Sequence, residues 1–316
     1  MKKLLSLYKA FLANFSRTIH YYKLLLGSYE PRKILQLLRY RTDFFYAVEI
    51  ETITTCNRRC SYCPNSKYDR GLVENKQLMD ENLFKKVIDD LSAMGFKGRL
   101  SPHFYGEPLL DKRLPSLLTY AKNKIPALHI HLFTNGDCLT VKNYEKLLQA
   151  GVSKITITQH GDEMPRGVKK VFEYRNKNGN GNIDIVYNKS EDLNLYNRGG
   201  LVEANPKYQR SKCFNPTEEV IIDYQGNVIL CCNDYLGSIN FGNLKNNSFA
   251  EIWRNESFSR IRRELRKGIF QLNICRECVG LAPEKPQAAV PVKFFPSNLS
   301  KTEITNAANS LNSDAG

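Results

Sequence analysis

A chain of 316 residues, 42% hydrophobic and 11% aromatic, carries enough apolar material for one large domain and a smaller module, which excludes a disordered protein. The formal net charge of +14 is unevenly spread, because nine Lys and Arg and a single Glu fall within residues 1–41; the body is only mildly basic, and charge alone gives no case for a nucleic-acid partner. No apolar run reaches the ~20 residues of a bilayer span, and nine cysteines in a chain read as cytoplasmic point to metal or redox chemistry more than to disulfides.

Residues 1–45 predict a basic amphipathic helical extension. Leu4, Leu5, Tyr8, Phe11, Leu12 and Phe15 recur at helical spacing, and Ile34, Leu37 and Leu38 do so again after Pro31. The first five residues open like a signal peptide, but Lys9 interrupts the apolar stretch and no small-residue cleavage site follows. Apolar faces flanked by Lys and Arg suit peripheral contact of residues 1–42 with an anionic membrane; packing on the body fits equally well. From 46 to 187 the patterns alternate. Strands are expected over 46–53, 99–105, 127–134, 153–159 and 182–187, with helices over 81–94 (capped by Asp80), 114–123 (Pro115 in the first turn) and 141–150. Such alternation predicts an α/β fold with parallel strands and crossover helices, its chemistry on loops at the strands' C-terminal ends. Beyond 205 the pattern changes. Strands over 218–223 and 227–232 flank Tyr224-Gln225-Gly226 as a hairpin, and a long helix follows over 249–267. Residues 282–316, rich in Ala, Pro, Asn and Ser, predict a loose tail.

Cys56, Cys60 and Cys63 come directly after the first strand, in a C-x3-C-x2-C spacing unlike a zinc ribbon. Three thiolates hold three irons of a 4Fe-4S cubane and leave the fourth open, which is where S-adenosylmethionine (SAM) would chelate through its amino and carboxylate groups. Three plain structural thiols are the alternative. Gly106-Glu107-Pro108 ends the second strand, Thr134-Asn135-Gly136 the third and Gln159-His160 the fourth. Glycine permits close backbone approach, and Glu107 is placed to accept from SAM's ammonium. Thr134, Asn135, Gln159 and His160 are candidates for ribose and carboxylate contacts, and Tyr62 for a place against the adenine. Each motif alone is an ordinary turn; their recurrence at successive strand ends is the signal. Cys213, Cys231, Cys275 and Cys278 form a second group. Four thiolates complete a 4Fe-4S cluster or a zinc site, and spacing does not choose between them. Cys232 is left over beside Cys231, and Cys138 reads as a buried structural thiol.

Together, residues 56–66, 98–110, 134–137, 158–160 and 197–200, with the pattern Cys213, Gly226-x4-Cys231 and Cys275-x2-Cys278, resemble radical SAM enzymes that carry a SPASM, or shortened "twitch", auxiliary-cluster domain. The likeness covers roughly residues 46–280. It implies a partial (β/α)6, TIM-like barrel over 46–205 holding SAM. A hairpin-plus-helix twitch module over 206–281 would close the substrate pocket. It implies two 4Fe-4S clusters: one on Cys56, Cys60 and Cys63, and one auxiliary cluster on Cys213, Cys231, Cys275 and Cys278. It also implies a flavodoxin- or ferredoxin-type electron donor. Tyr105 and Arg198 match substrate-contacting positions, with Asp234 as a further contact. A guanidinium at 198 would favour an alkoxide-like ketyl radical, which loses an electron more easily; its pKa is too high for it to act as the base. Cys232 and Asn233 depart from the pattern, standing where an aromatic and an acid are expected, which bears on the substrate and not on the cofactors.

The expected activity is dehydrogenation of a carbinol carbon in a sugar, polyol or aminocyclitol, free or carrier-linked, with the auxiliary cluster accepting an electron. Epimerisation or peptide modification is the enzymatic alternative, with Cys232 returning a hydrogen atom from the opposite face. A non-catalytic zinc protein held at a membrane by residues 1–42 is the reading from another class.

Overall fold

The computed structural model describes residues 45–179, 181–193, 195–203 and 211–281. The expected helical extension with its membrane contact, and the tail from 282, lie outside these residues. β1 (Ala47–Ile50) is buried along its whole length. α1 (Glu81–Ala93) starts at Asp80, whose carboxylate accepts from Asn82 N and Leu83 N at 2.9 and 3.0 Å. It buries Leu83, Phe84, Val87, Ile88 and Leu91, a stripe at helical spacing in which each side chain is worth ~1.5–3 kcal/mol of burial before ordering entropy is subtracted. β2 (Arg99–Ser101), α2 (Leu114–Lys124), β3 (His129–Thr134), α3 (Val141–Gln149) and β4 (Val152–Gln159) follow. α3 is capped by Thr140, which accepts from Asn143 N. α4 (Arg166–Asn178) was not expected from sequence. Of its residues only Val168, Val171 and Arg175 are buried, which leaves too thin an apolar stripe for a periodic signal. β5 (Asp184–Lys189) completes the first run.

The C-terminal segment enters through a single turn, α5 (Asn215–Glu218), and continues as β6 (Glu219–Ile222), β7 (Asn227–Ile229) and β8 (Asn240–Asn243). The expected long helix is two: α6 (Phe249–Arg254) and α7 (Glu256–Lys267) meet at Asn255, whose side chain caps α7 by accepting from Phe258 N. α7 ends at Gly268, which is left-handed at φ 82°. α8 (Asn273–Cys278) closes the described chain.

All eight strands lie in one sheet, ordered β5-β4-β3-β2-β1-β6-β7-β8. The six from β5 to β6 are mutually parallel, and β7 and β8 are antiparallel additions. The class is the expected one, α/β with a partly open parallel sheet. The hairpin, however, is no separate layer: β6 runs beside β1 in register from Ala47↔Glu219 to Ile50↔Ile222. One sheet face carries Val48, Ile50, Leu100, Ile130, Leu132, Ile155, Ile157 and Ile222 into the main core with the helices. The inner face carries Glu49, Arg99, Ser101, His131, Thr156 and Glu219. Parallel sheets are normally apolar on both faces, and here the polar side chains pair with one another, Arg99 with Glu49 and Glu219 and His131 with Thr156.

Candidate active site

The loop after β1 is pinned before it reaches the cysteines. Thr54 N bonds Gln77 O, and Cys56 N bonds Gly71 O at 3.1 Å. The chain then turns tightly: Cys63 N reaches Cys60 O at 2.9 Å, and a single helical turn, Pro64–Ser66, follows. Asn65 anchors this turn, donating to Tyr105 O at 3.0 Å and accepting from Tyr235 Oη at 2.9 Å. Arg58 pairs with Asp137 at 2.5 Å, and Asn57 donates to the same carboxylate. The cysteine loop is thereby tied to the loop after β3. Burial pushes the Cys56 thiol up to about 11 and raises that of Cys63, so thiolates here require a compensating cationic centre.

Gly106 lies where a Cβ would stand 2.0 Å from Ile53 O. Only glycine lets the second strand's loop approach the first this closely, and Glu107 N then bonds Thr55 O at 2.8 Å. The Glu107 carboxylate, pushed up to about 7 by burial, accepts from Leu109 N, Thr134 Oγ1 and Asn135 N at 2.7–3.0 Å. Thr134 and Asn135 therefore brace Glu107. The Asn135 side chain also donates to Asn57 and accepts from Asp137 N. Gln159 is held by Tyr187 and by Gly161 O at 2.5 and 2.6 Å. Tyr62 hydrogen-bonds His160 through Nδ1, and both line an open pocket of about 250 Å3 with Arg58, Arg59, Cys60 and Ser61.

Cys213, Cys231, Cys275 and Cys278 face one cavity walled by apolar side chains, among them Leu230, Leu265 and Phe270. Cys213 N bonds Leu265 O, which fixes the first of the four against α7. In both groups the donor set is thiolate-rich, as iron–sulfur ligation requires. Among the described residues no three His, Cys, Asp or Glu side chains converge as a single-ion site.

Between them, Tyr105 and Arg198 share electrostatic contacts with both cysteine groups. Tyr105 Oη donates to Cys232 O at 2.8 Å. The Arg198 guanidinium sits 5.7 Å from the Tyr105 ring centroid and donates to Asn233 Oδ1 at 3.3 Å. Both Tyr105 and Arg198 are within electrostatic reach of Cys63 and Cys232. Among the described residues Arg198 is the one non-glycine with positive φ, at 52°, and its buried Nε has no hydrogen-bond partner. Strain plus an unused donor is the usual signature of a functional side chain. Cys232 packs with Phe104, Tyr105, Ile221 and Ile229.

Two expectations need correction. Asp234, expected as a further substrate contact, is 1% exposed, and both of its carboxylate oxygens are engaged in its own turn, accepting from Ser238 N and Oγ and from Ile239 N at 2.8–2.9 Å. Cys138 is half-buried rather than buried. Sequence reading also missed the inner-face residues Glu49, Ser101, His103 and Glu219. Ser101 Oγ and His103 Nδ1 are buried without partners, and desolvation pushes His103 down to about 4. The signal was present as polar residues at every second position of strands that should be apolar on both faces.

The radical SAM superfamily model matches residues 50–187, and the SPASM iron-sulfur cluster-binding domain model matches 213–279. The chain is 34% identical over 239 residues to the S-adenosyl-L-methionine-dependent 2-deoxy-scyllo-inosamine dehydrogenase of Niallia circulans, spanning 74% of this chain and 92% of that one. It is 28% identical over 171 residues to Fe-coproporphyrin III synthase of Methanosarcina barkeri, spanning 48% of this chain and 40% of that one. Among solved structures, BtrN in complex with AdoMet and 2-DOIA superposes with a TM-score of 0.68 at 32% identity, covering 75% of this chain and 94% of that one. BtrN in an open conformation gives 0.58 at 29% identity, covering 74% and 92%.

Proposed function

Because the chain belongs to the radical SAM superfamily and carries a SPASM-type iron–sulfur module, we propose that it oxidises a carbinol carbon of a small sugar, polyol or aminocyclitol to a ketone. The observation that carries this reading is the Tyr105–Arg198 pair, with the guanidinium over the tyrosine ring and both groups within electrostatic reach of Cys63 and Cys232. Cys56, Cys60 and Cys63 would hold the SAM-binding cluster, and Cys213, Cys231, Cys275 and Cys278 the auxiliary one. When bound, these groups supply the hydrogen-abstracting 5′-deoxyadenosyl radical and a one-electron acceptor.

The chain's own residues do the rest. Glu107, held by Thr134 and Asn135, presents a carboxylate edge to the ammonium of SAM, and Gly106 makes the approach possible. Tyr62 and His160, which line the open pocket, would meet the adenine and ribose, with Gln159, fixed by Tyr187 and Gly161, next to His160 at the same strand end. Arg198, whose buried Nε–H has no partner, would donate to the substrate hydroxyl and stabilise negative charge on that oxygen as the carbon loses hydrogen. Ser101 and His103, with spare polar atoms on the inner face, meet further hydroxyl or amino groups. Once the C–H hydrogen, the hydroxyl proton and one electron have left, a ketone remains. A flavodoxin- or ferredoxin-type protein would supply the reducing electron for SAM cleavage.

Cys232 beside Tyr105 supports one second reading, epimerisation with Cys232 as hydrogen donor. One experiment separates the two: anaerobic reconstitution, then SAM and a panel of sugars and aminocyclitols in D2O, read by mass spectrometry. Loss of two hydrogens with formation of 5′-deoxyadenosine, and about eight irons per chain, is the expected result. Solvent deuterium in an otherwise unchanged substrate would favour epimerisation. Stoichiometric zinc without iron would overturn both.

A further inference from the structure

Asn233 lies two residues past Cys231 and is 3% exposed. Its side chain touches two functional groups at once. Arg198 Nη1 approaches Oδ1 at 3.3 Å, and Nδ2 lies 3.3 Å from the sulfur of Cys278. The amide's orientation is fixed by chemistry. A guanidinium only donates, so the carbonyl oxygen must face Arg198 and the NH2 must face the cysteine. The loop carrying Arg198 rests on the same helix, α8, that carries Cys275 and Cys278. Asn197 Nδ2 donates to Glu277 O at 2.8 Å, and Gly199 packs where a Cβ would meet Ile274 Cγ1 at 2.5 Å. These contacts hold Arg198 in its left-handed conformation and make arginine, amide and cysteine one mechanical unit.

We propose that Asn233 is a positioning residue that sets the reduction potential of the auxiliary cluster while it holds Arg198 toward the substrate. This deepens the reading above and rests on the second cysteine group holding a cluster. An N–H donated to a ligating sulfur draws charge off it and stabilises the reduced, more negative state, so the potential rises. Burial strengthens the bond, because little solvent screens it. A carboxylate at this position would reverse both effects: it would have no N–H for Cys278, and it would neutralise Arg198 by pairing with it. The neutral amide leaves the guanidinium's charge available to a substrate oxygen and makes the cluster a better electron acceptor.

The test uses the full chain with Cys56, Cys60 and Cys63 changed to Ala, so that the auxiliary cluster alone reports. After anaerobic reconstitution, the midpoint is measured by EPR-monitored redox titration. Asn233→Asp and Asn233→Leu are expected to shift it downward while iron content holds at about four per chain. On the otherwise unaltered asparagine protein, ENDOR in H2O and D2O is expected to show an exchangeable proton coupled to the reduced cluster that Asn233→Leu lacks. An unchanged midpoint in iron-replete variants would overturn the proposal. If the variants lose their iron, an asparagine protein without such a coupled proton would overturn it equally. Neither readout requires turnover, so a protein that shows the shift but oxidises none of the panel keeps this inference and loses the dehydrogenase reading. Zinc in the second site removes both.

Discussion

Arg99 stands between two carboxylates on the inner face, bonding Glu219 and lying 3.8 Å from Glu49. Burial first, then the charge of Glu49, pushes Glu219 up to about 8 against the pull of Arg99; burial raises Glu49 as well. The folded state therefore binds more protons here than the unfolded chain does between the ordinary carboxylate range and about pH 8. Stability from this group is fully present below that window and is lost as pH rises through it. Glu219→Gln, which mimics the protonated form, should match the parent near pH 5 and exceed it by on the order of 1 kcal/mol above pH 8, read from urea unfolding at each pH. Arg198 is the second residue whose chemistry can be isolated. Arg198→Lys keeps a cation but loses the planar fork that donates to Asn233 and lies over Tyr105. Ketone formation should fall by about 10²-fold, while 5′-deoxyadenosine continues to form because the cradle is untouched. An equal fall in both products would show that Arg198 serves SAM rather than substrate.

Elements differ in how far the chain announces them. The Cys56, Cys60 and Cys63 spacing stands out in the sequence because its information is local: a spacing, a preceding strand and a following turn. Glu107, Thr134 and Asn135 were legible as strand-end motifs, yet their mutual hydrogen bonds place them as one braced unit rather than as separate contacts. The inner-face residues were hidden by attention to apolar periodicity, which sees one sheet face only. Asp234 was expected from the family resemblance, which carries over a position but not a side-chain direction, and its carboxylate is engaged in its own turn. Residues 249–267 were read as one helix because the apolar spacing carries across the break. The break is nevertheless encoded in two N-caps, Ser248 with its reciprocal partner Glu251, and Asn255. Ser248→Ala removes the box that starts α6, the helix whose Phe249 and Trp253 pack on Phe45 just ahead of β1. It should lower stability by about 1 kcal/mol, measured as a reduced urea midpoint, with cluster content unchanged because no cysteine lies on that helix.

At the scale of the molecule, the two chemical groups are joined through β1. β1 has β2 on one side and β6 on the other, so the strand that launches the cradle is also the strand on which the auxiliary module is built. The joint reaches beyond the ladder. Arg70, in the loop after the cradle, pairs with the buried Glu51 and donates to Tyr235 O at 2.6 Å, while Glu51 also accepts from Tyr224 N. The hairpin then returns antiparallel, which brings Cys232 to the hydroxyl of Tyr105. Both cysteine groups are thereby tied to one sheet, so their separation is set by strand register. The consequence is testable by truncation. A chain ending at residue 203 keeps every cradle cysteine and every SAM-side motif, yet it leaves β1 with an unpaired edge and Glu51 without Tyr224. It should fail to accumulate as a monodisperse monomer and should exchange the amides of residues 46–51 rapidly, whereas the intact chain protects them. A monomeric, iron-binding fragment with those amides protected would instead mean that the barrel folds alone and that the auxiliary module docks onto a finished sheet.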